Sequence, residues 1–352
     1  MGLGCAWRAL CRYSQAVRIV LIGFGVVGQA LATMLHAQRQ ALERRLGAEA
    51  RLVAVCDSRG CAMAPAGLDA PTLLEAKAEK KSVGDIPGVG QRIDTMRVVL
   101  RTAADVVVQT SPSDLKHPRP ALDHLLGAMR AGKHAVSVNK APLAVAMPAL
   151  LESARYNRVS LAYSGTVGAA TPVLALAARL ATGDTITGIR AIINGTTNFI
   201  LSRMAECDEP FEAALAHAVK LGYAETDPSN DIDGIDTAMK LVILANHAGG
   251  VGKGCSYSDV SVQGIRGLPI ERVREARARG KVIKLIASVS ERGLLVAPTE
   301  VDVDSPLNVP RNMNAVTFSM HNAGDVTLVG RGAGGAETAT AIVRDLIEIG
   351  TR

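Results

Sequence analysis

The stretch "LGYAETDPSNDIDGIDTAMK" (221–240) sets five carboxylates, Glu225, Asp227, Asp231, Asp233 and Asp236, ahead of a single cation, Lys240. Carboxylates can hold an ammonium group, and a lysine can give or take a proton at an oxygen. "NDIDG" leads into a helix for which Asp233 is the expected N-cap and Asp236 the third residue. Asp236 and Lys240 then fall one turn apart on one face. An ordinary surface ion pair, worth about 0.2–0.5 kcal/mol, uses the same spacing, and acids are common at helix N-termini for electrostatic reasons alone. The surroundings favour chemistry. Lys240 lies between "TAM" and "LVILA", so it is expected to be partly desolvated, with a lowered pKa suited to proton transfer.

Such a site needs elements to position it and a partner for the other half of a reaction. At the front of the chain, "VRIVLIGFGVVGQALATML" places an apolar strand directly before Gly23-x-Gly25-x-x-Gly28 and an apolar-periodic helix directly after it. In that setting the glycines allow a tight turn and close approach of backbone to a pyrophosphate at the helix N-terminus. Phe24, Val26 and Val27 fill the positions between them and share the expected cofactor site. A second strand, "RLVAVC", ends at Asp57, followed by Ser58 and Arg59. Asp57 alone indicates NAD, because its carboxylate accepts from the ribose hydroxyls and repels a 2′-phosphate. Arg59 points the other way, able to stack on adenine and clamp that phosphate. Lys77, Lys80 and Lys81 either help it or form a solvated helix face. The reading leans to NADP and keeps NAD open.

Further strands at "DVVVQ" (105–109) and "HAVSV" (134–138) run into the polar loops "TSPSD", with Thr110 and Ser111, and "NKAPLA", with Lys140. In doubly wound sheets these loops lie at the carboxyl ends of strands, over the cofactor. Lys140 is then either a group at the crevice mouth or an exposed loop lysine.

The whole chain fits a soluble globular class. It has 352 residues, 48% hydrophobic and 20% charged, with a net charge of +6. Length alone allows two domains. The densest basic run, "ERVREARARGK", alternates arginines with acids in a helical pattern without aromatics, which speaks for a solvated helix face and against a nucleic-acid surface. Six cysteines show no CxxC pair and no metal-like spacing with histidine, which suits a reducing compartment. His217, His247 and His321 have no partners at useful spacing and are read as structural or surface residues. Residues 1–16 carry two arginines and a broken apolar run, so they are read as an extension rather than a secretory signal. No segment has the apolar length of a membrane span. A cytoplasmic protein is expected.

After about residue 155 the pattern changes to strands broken by small, hydroxyl-rich turns. "KVIKLIASVS", "GLLVAPTEVDV" and "AVTFSM" with "DVTLVG" read as a mixed sheet. The expected division is therefore an extension at 1–16, a Rossmann-type dinucleotide-binding domain at 17–155 rejoined by a closing helix at 331–352, and an α+β second domain at 156–330.

Six segments in this order, "GFGVVGQALA", "GKHAVSVNKAPLA", "GTVGAATP", "INGTTNFIL", "LGYAETDPSNDIDGIDTAMK" and "GRGAGGAETATAIVRDL", resemble the homoserine dehydrogenase family from Val17 onward. The resemblance implies NAD(P)-dependent interconversion of L-aspartate 4-semialdehyde and L-homoserine, on the route to threonine and methionine, by a homodimer joined through its second domain. It makes Lys240 the proton donor, with Lys140 beside it at the nicotinamide. Glu225 and Asp236 would bind the substrate amine, and Asp231 would hold the amine or brace Lys240. Thr196, the Gly195 backbone and Tyr223 would line the substrate. Gly222, Thr110, Gly332 and Gly334 would touch the cofactor. Two departures stand out. Many members carry a regulatory domain after the catalytic part, whereas this chain stops at Arg352, so feedback control through such a domain is not expected. Members with a sodium site often have glutamate where Ser164 stands, which leaves the backbone carbonyls of Val167 and Ala169 as ligands for a hard cation. A related dehydrogenase for another semialdehyde, or a non-catalytic NAD(P)-sensing module, would have no need of Glu225, Asp236 and Lys240 at this spacing.

Overall fold

A computed structural model describes residues 16–79, 81–250 and 252–351. The expected N-terminal extension lies outside them except for Ala16, which opens the first strand, and Lys80 also lies outside. The chain forms two compact units. One holds the described residues up to Pro142, Pro148–Thr166 and those from Gly334 on; the other holds Leu143–Met147 and Val167–Ala333.

The first unit contains β1 (Ala16–Ile22), α1 (Val26–Ala37), α2 (Arg39–Leu46), β2 (Glu49–Cys56), β3 (Cys61–Met63), α3 (Ala70–Ala78), β4 (Gly90–Gln91), α4 (Thr95–Arg101), β5 (Val106–Gln109), α5 (Ala121–Arg130), β6 (His134–Ser137), α6 (Lys140–Tyr156) and β7 (Leu161–Ala162). Its sheet runs β4-β3-β2-β1-β5-β6-β7. β2, β1, β5, β6 and β7 are parallel, while β3 and β4 add an antiparallel edge. β1 shows why its apolar run is continuous rather than alternating. Ile19 and Leu21 enter a core with Leu31, Leu35 and Leu73, and Val20 and Ile22 enter a second core with Val98, Val99 and Ala128. Both faces are covered, as parallel sheets require. Burying side chains of this size contributes about 1.5–3 kcal/mol each.

Two expectations need correcting here. The second domain was expected to begin at residue 156, but β7 pairs with β6 (Ala135↔Leu161, Val136↔Ala162) and closes the first sheet, so the first unit reaches Thr166. The cysteines are not all reduced thiols either. Cys56 and Cys61 stand opposite each other across the β2–β3 pair and are joined as a disulfide. Their spacing of five follows from the hairpin, not from a redox motif.

The second unit contains α7 (Val173–Leu180), β8 (Ile186–Ile192), α8 (Gly195–Cys207), α9 (Phe211–Lys220), α10 (Ser229–Ile232), α11 (Ile235–Ala248), β9 (Val260–Val262), α12 (Ile270–Ala278), β10 (Lys281–Ser290), β11 (Gly293–Asp302), β12 (Met313–Met320) and β13 (Gly324–Arg331). The strand order is β13-β12-β8-β10-β11-β9, antiparallel except for β11 with β9, so the sheet is mixed. α11 is apolar nearly all round and accordingly buried from Thr237 through Ala245. That burial carries Lys240 inward. The last helix, α13 (Gly335–Thr351), belongs to the first unit, where Ala339, Ile342 and Leu346 pack into the core with Ile19 and Leu21. No helix among the described residues is long and apolar enough to cross a membrane.

Candidate active site

In the first unit the loops after β1, β5 and β6 are stitched together at the carboxyl ends of the strands. Gly23 has φ +94°, and a Cβ there would lie 2.5 Å from the Ser111 nitrogen; one at Gly28 would lie 2.3 Å from the Gly23 carbonyl oxygen. Only glycine fits at either place. A Cβ at Gly25, by contrast, would meet nothing within 4 Å. The open side of the turn is therefore at Gly25, which is also the N-cap of α1 and makes no side-chain cap bond. Open space against helix-terminal N–H groups fits a pyrophosphate. The Thr110 hydroxyl donates to the Gly23 carbonyl at 2.6 Å and fixes the turn from behind. Ser111 accepts from Gln109 and from the Asn139 amide at 2.9 and 3.1 Å. Asn139 caps α6, whose first residue is Lys140, and the Lys140 backbone donates to the Ser113 hydroxyl at 2.9 Å. Within the turn Phe24 is buried, Val27 is half-buried and Val26 is 75% exposed.

Asp57 is braced by several protein donors. Its carboxylate accepts from the Arg59, Gly60 and Val83 backbones at 2.9, 3.2 and 3.0 Å, from the Ser82 hydroxyl at 2.7 Å and from Lys77 at 3.1 Å. Burial pushes this carboxyl up, but the bonds from Ser82, Arg59, Val83 and Lys77 outweigh it and hold it below the usual range. The carboxylate expected to accept from the ribose hydroxyls is held by protein donors, which order the 57–60 loop. Ser58 and Arg59 remain exposed on that loop. Lys77 is committed to Asp57, and Lys81 is an exposed partner of Glu79.

The second unit brings the carboxylate cluster together, though not all of it. Asp236 and Lys240 meet at 2.7 Å with side chains 15% and 11% exposed. The Lys240 ammonium also donates to the Ile193 carbonyl at 2.8 Å. Asp231 joins them through Asn194, whose amide nitrogen donates to Asp231 at 2.6 Å and to Asp236 at 3.1 Å. Burial and the charge of Asp236 push the Asp231 carboxyl up, against the pull of Asn194 and Lys240. The remaining acids do other work. Asp227 accepts from the Ser229 backbone at 3.1 Å, and Asp233 binds Arg266 through two bonds of 2.7 and 2.8 Å. Asp233 was expected to be the N-cap of α11 and is not. It ends α10, and Gly234, at φ +81°, is the capping residue, a left-handed turn that a glycine takes without cost. Glu225 is exposed, and among the described residues no bond joins it to the cluster.

Gly195 begins α8, where a Cβ would stand 2.8 Å from the Asn312 carbonyl. The Thr196 hydroxyl donates to the Tyr223 carbonyl at 2.6 Å, and the Tyr223 ring lies 4.7 Å from that of Phe199. Gly222 and Gly332 fall in this second unit and Gly334 in the first. Val167 and Ala169 are buried in the second unit, Ala169 at a left-handed φ of +49°. Among the described residues no group of three or more His, Cys, Asp or Glu side chains converges as a metal site. Ser164 lies in the first unit, where its backbone donates to the buried Asp345 at 3.0 Å. Of the histidines, His217 contacts Glu209 at the surface and His247 is held against the Leu174 carbonyl.

A family model for homoserine dehydrogenase matches residues 172–347, and one for the homoserine dehydrogenase NAD-binding domain matches residues 23–164. The chain belongs to the homoserine dehydrogenase family. The homoserine dehydrogenase of Methanocaldococcus jannaschii is 40% identical over 94% of this chain and 98% of that protein. An NAD(+)-dependent homoserine dehydrogenase of Pseudomonas canavaninivorans is 35% identical over 94% of this chain and 96% of its own length. Among solved structures, a hyperthermophilic archaeal homoserine dehydrogenase in complex with NADPH superposes with a TM-score of 0.82 at 29% identity, covering 95% of this chain and 97% of that one.

The chain is thus an NAD(P)-dependent oxidoreductase, and the activity of its family is the interconversion of L-aspartate 4-semialdehyde and L-homoserine. Against that chemistry, the residue that sequence reasoning missed is Asn194. Its signal was present in "INGTTNF", where an asparagine stands directly before a helix, but its two acidic partners come 37 and 42 residues later.

Proposed function

We propose that Lys240 carries the proton of this homoserine dehydrogenase reaction and that Asp236 and Asp231 take the substrate ammonium. The observation that carries the reading is the buried Lys240–Asp236 pair at 2.7 Å, with the ammonium also bonded to the Ile193 carbonyl. The nicotinamide, when bound, gives or accepts the hydride at the carbon that bears the oxygen. In the reducing direction Lys240 donates a proton from Nζ to the aldehyde oxygen; in the oxidising direction it accepts the hydroxyl proton. Asp236 contacts the lysine ammonium at 2.7 Å and with Asp231 supplies the negative charge that an amino-acid substrate requires. Thr196, the Gly195 backbone and Tyr223 line the substrate, Glu225 serves as an outer acceptor for the amine, and Lys140 is a second cation for the reacting end.

For the cofactor, the Gly23–Gly28 turn, Thr110 and Ser111 take the pyrophosphate side, and Ser58 and Arg59 the adenosine side, with Gly222, Gly332 and Gly334 in further contact. Asp57, its oxygens already bonded to protein, exerts less repulsion on a 2′-phosphate than a solvent-facing acid would. This supports NADP over NAD, with both accepted. A homodimer is supported by one face of the second sheet, where Leu295 and Val329 are 45% and 47% exposed on the side shared by Arg190, Ser288 and Thr317. A sodium ion on the Val167 and Ala169 carbonyls has less support, because Ser164 offers no carboxylate. The deciding assay follows absorbance with L-homoserine and either NAD or NADP at alkaline pH. Absence of homoserine-dependent reduction of both cofactors would end this reading.

A further inference from the structure

We infer that Asn194 is a positioning residue for substrate binding: a single carboxamide, locked in one orientation by the helix it caps, spans Asp231 and Asp236 and sets them as a paired acceptor for the substrate ammonium. The inference rests on the proposed role of those two acids. Its own support is the complete use of the amide. On one side, Asn194 Oδ1 accepts from the Thr197 backbone at 2.9 Å, with the Thr197 hydroxyl 3.1 Å away, which is an N-cap of α8. On the other, Nδ2 has two hydrogens and two carboxylates to receive them, Asp231 at 2.6 Å and Asp236 at 3.1 Å.

The cap decides which way the amide faces. A flipped group would put N–H against the Thr197 N–H and its oxygen against two carboxylates, so the helix terminus fixes the donors toward the acids. Asn194 itself is 4% exposed, so water does not replace these bonds when they are lost. The atom that receives the longer bond, Asp236 Oδ2, is also the one that binds Lys240. Asn194 bonds the two acids and the first turn of α8. It acts through Asp231 and Asp236, and its loss should appear in substrate affinity ahead of turnover. Without the amide, Asp231 on α10 and Asp236 on α11 keep Thr196 and Lys240 as separate partners but lose the one donor they share, and they separate or take up a proton. Either response weakens their hold on an ammonium.

Asn194→Ser tests this without removing the cap, since serine serves equally well as an N-cap but cannot reach two carboxylates with an N–H. The expected result is a KM for homoserine raised about tenfold, the scale of a lost hydrogen bond to a charged group, with kcat and the KM for the cofactor little changed. Asn194→Ala should raise the homoserine KM equally and, having lost the cap as well, melt at lower temperature than Asn194→Ser. A wild-type homoserine KM in the serine variant, with a lowered melting temperature in the alanine variant alone, would overturn the inference and leave Asn194 a helix cap. A wild-type enzyme with no homoserine-dependent turnover would instead remove the reading beneath it.

Discussion

Lys240 and Asp236, one turn apart on the buried helix α11, meet at 2.7 Å with no more than 15% of either side chain exposed. A surface pair at the same spacing would contribute about 0.2–0.5 kcal/mol and little else. Here the helix is buried from Thr237 through Ala245, and the ammonium has a second acceptor in the Ile193 carbonyl. Lys240→Ala should leave cofactor binding nearly intact and lower kcat by about 10²-fold or more, the usual scale for a positioned proton donor. Asp236→Ala should mainly raise the homoserine KM, since it grips ground and transition states alike. Steady-state kinetics with cofactor binding measured separately decide it. Unchanged kinetics in both variants, with only a lower melting temperature, would reduce the pair to a structural bridge.

Arg59 is exposed on a loop ordered by Asp57, and Asp57 is already bonded to Lys77, Ser82 and backbone donors. Only NADP presents a phosphate to the guanidinium. Arg59→Ala should therefore weaken NADP by roughly tenfold or more and NAD by much less. Titration of each cofactor by fluorescence separates the cases, and equal losses would mean that Arg59 only stacks or packs.

Leu295 and Val329 lie on one face of the second sheet, 45% and 47% exposed. If that face is covered by a second copy, the wild-type chain should sediment at about twice its 36.7 kDa mass at micromolar concentration. Leu295→Asp, which sets a charge in the covered patch, should shift it toward a single chain while the melting transition stays cooperative. A wild-type mass near one chain would refute the dimer.

What could be read from the sequence was local. The β1–Gly23-x-Gly25-x-x-Gly28–α1 unit could be recognised because its strand, turn and helix are contiguous and each residue's role depends on its neighbours. Asp57 was found, but the groups that hold its carboxylate, Lys77, Ser82 and Val83, lie 20 to 26 residues further on and left no local signal. Asp233 looked like a cap since acids suit helix N-termini, yet the chain turns at Gly234, and Arg266, 33 residues away, takes the charge. β7 spans two residues, too few for an alternation pattern, and its pairing with β6 alone shows which sheet it joins. Asn194 was passed over for the same physical reason as Asp57: a side chain with two ends reveals its partners only when the fold brings them together.

The last prediction concerns a group outside the site. Asp345 on α13 is 1% exposed, accepts from the Ser164 backbone at 3.0 Å, and is pushed up to about 7 by burial. The unfolded chain has an ordinary aspartate near 3.8. Between those values the folded state keeps a proton that the unfolded state has released, so the contribution of Asp345 to stability falls as pH rises from about 4 to about 7, and levels off above it. Three pH units correspond to roughly 4 kcal/mol. Asp345→Asn cannot ionise and keeps an acceptor for Ser164, so it should lack this component. Urea unfolding of both proteins at several pH values gives the test. The variant should gain on the wild type by a few kcal/mol (about 2–4) between pH 4 and pH 7.5, most of it before neutrality. Parallel stability curves across that window would show that Asp345 is ionised in the fold, its charge compensated by neighbours rather than suppressed by burial.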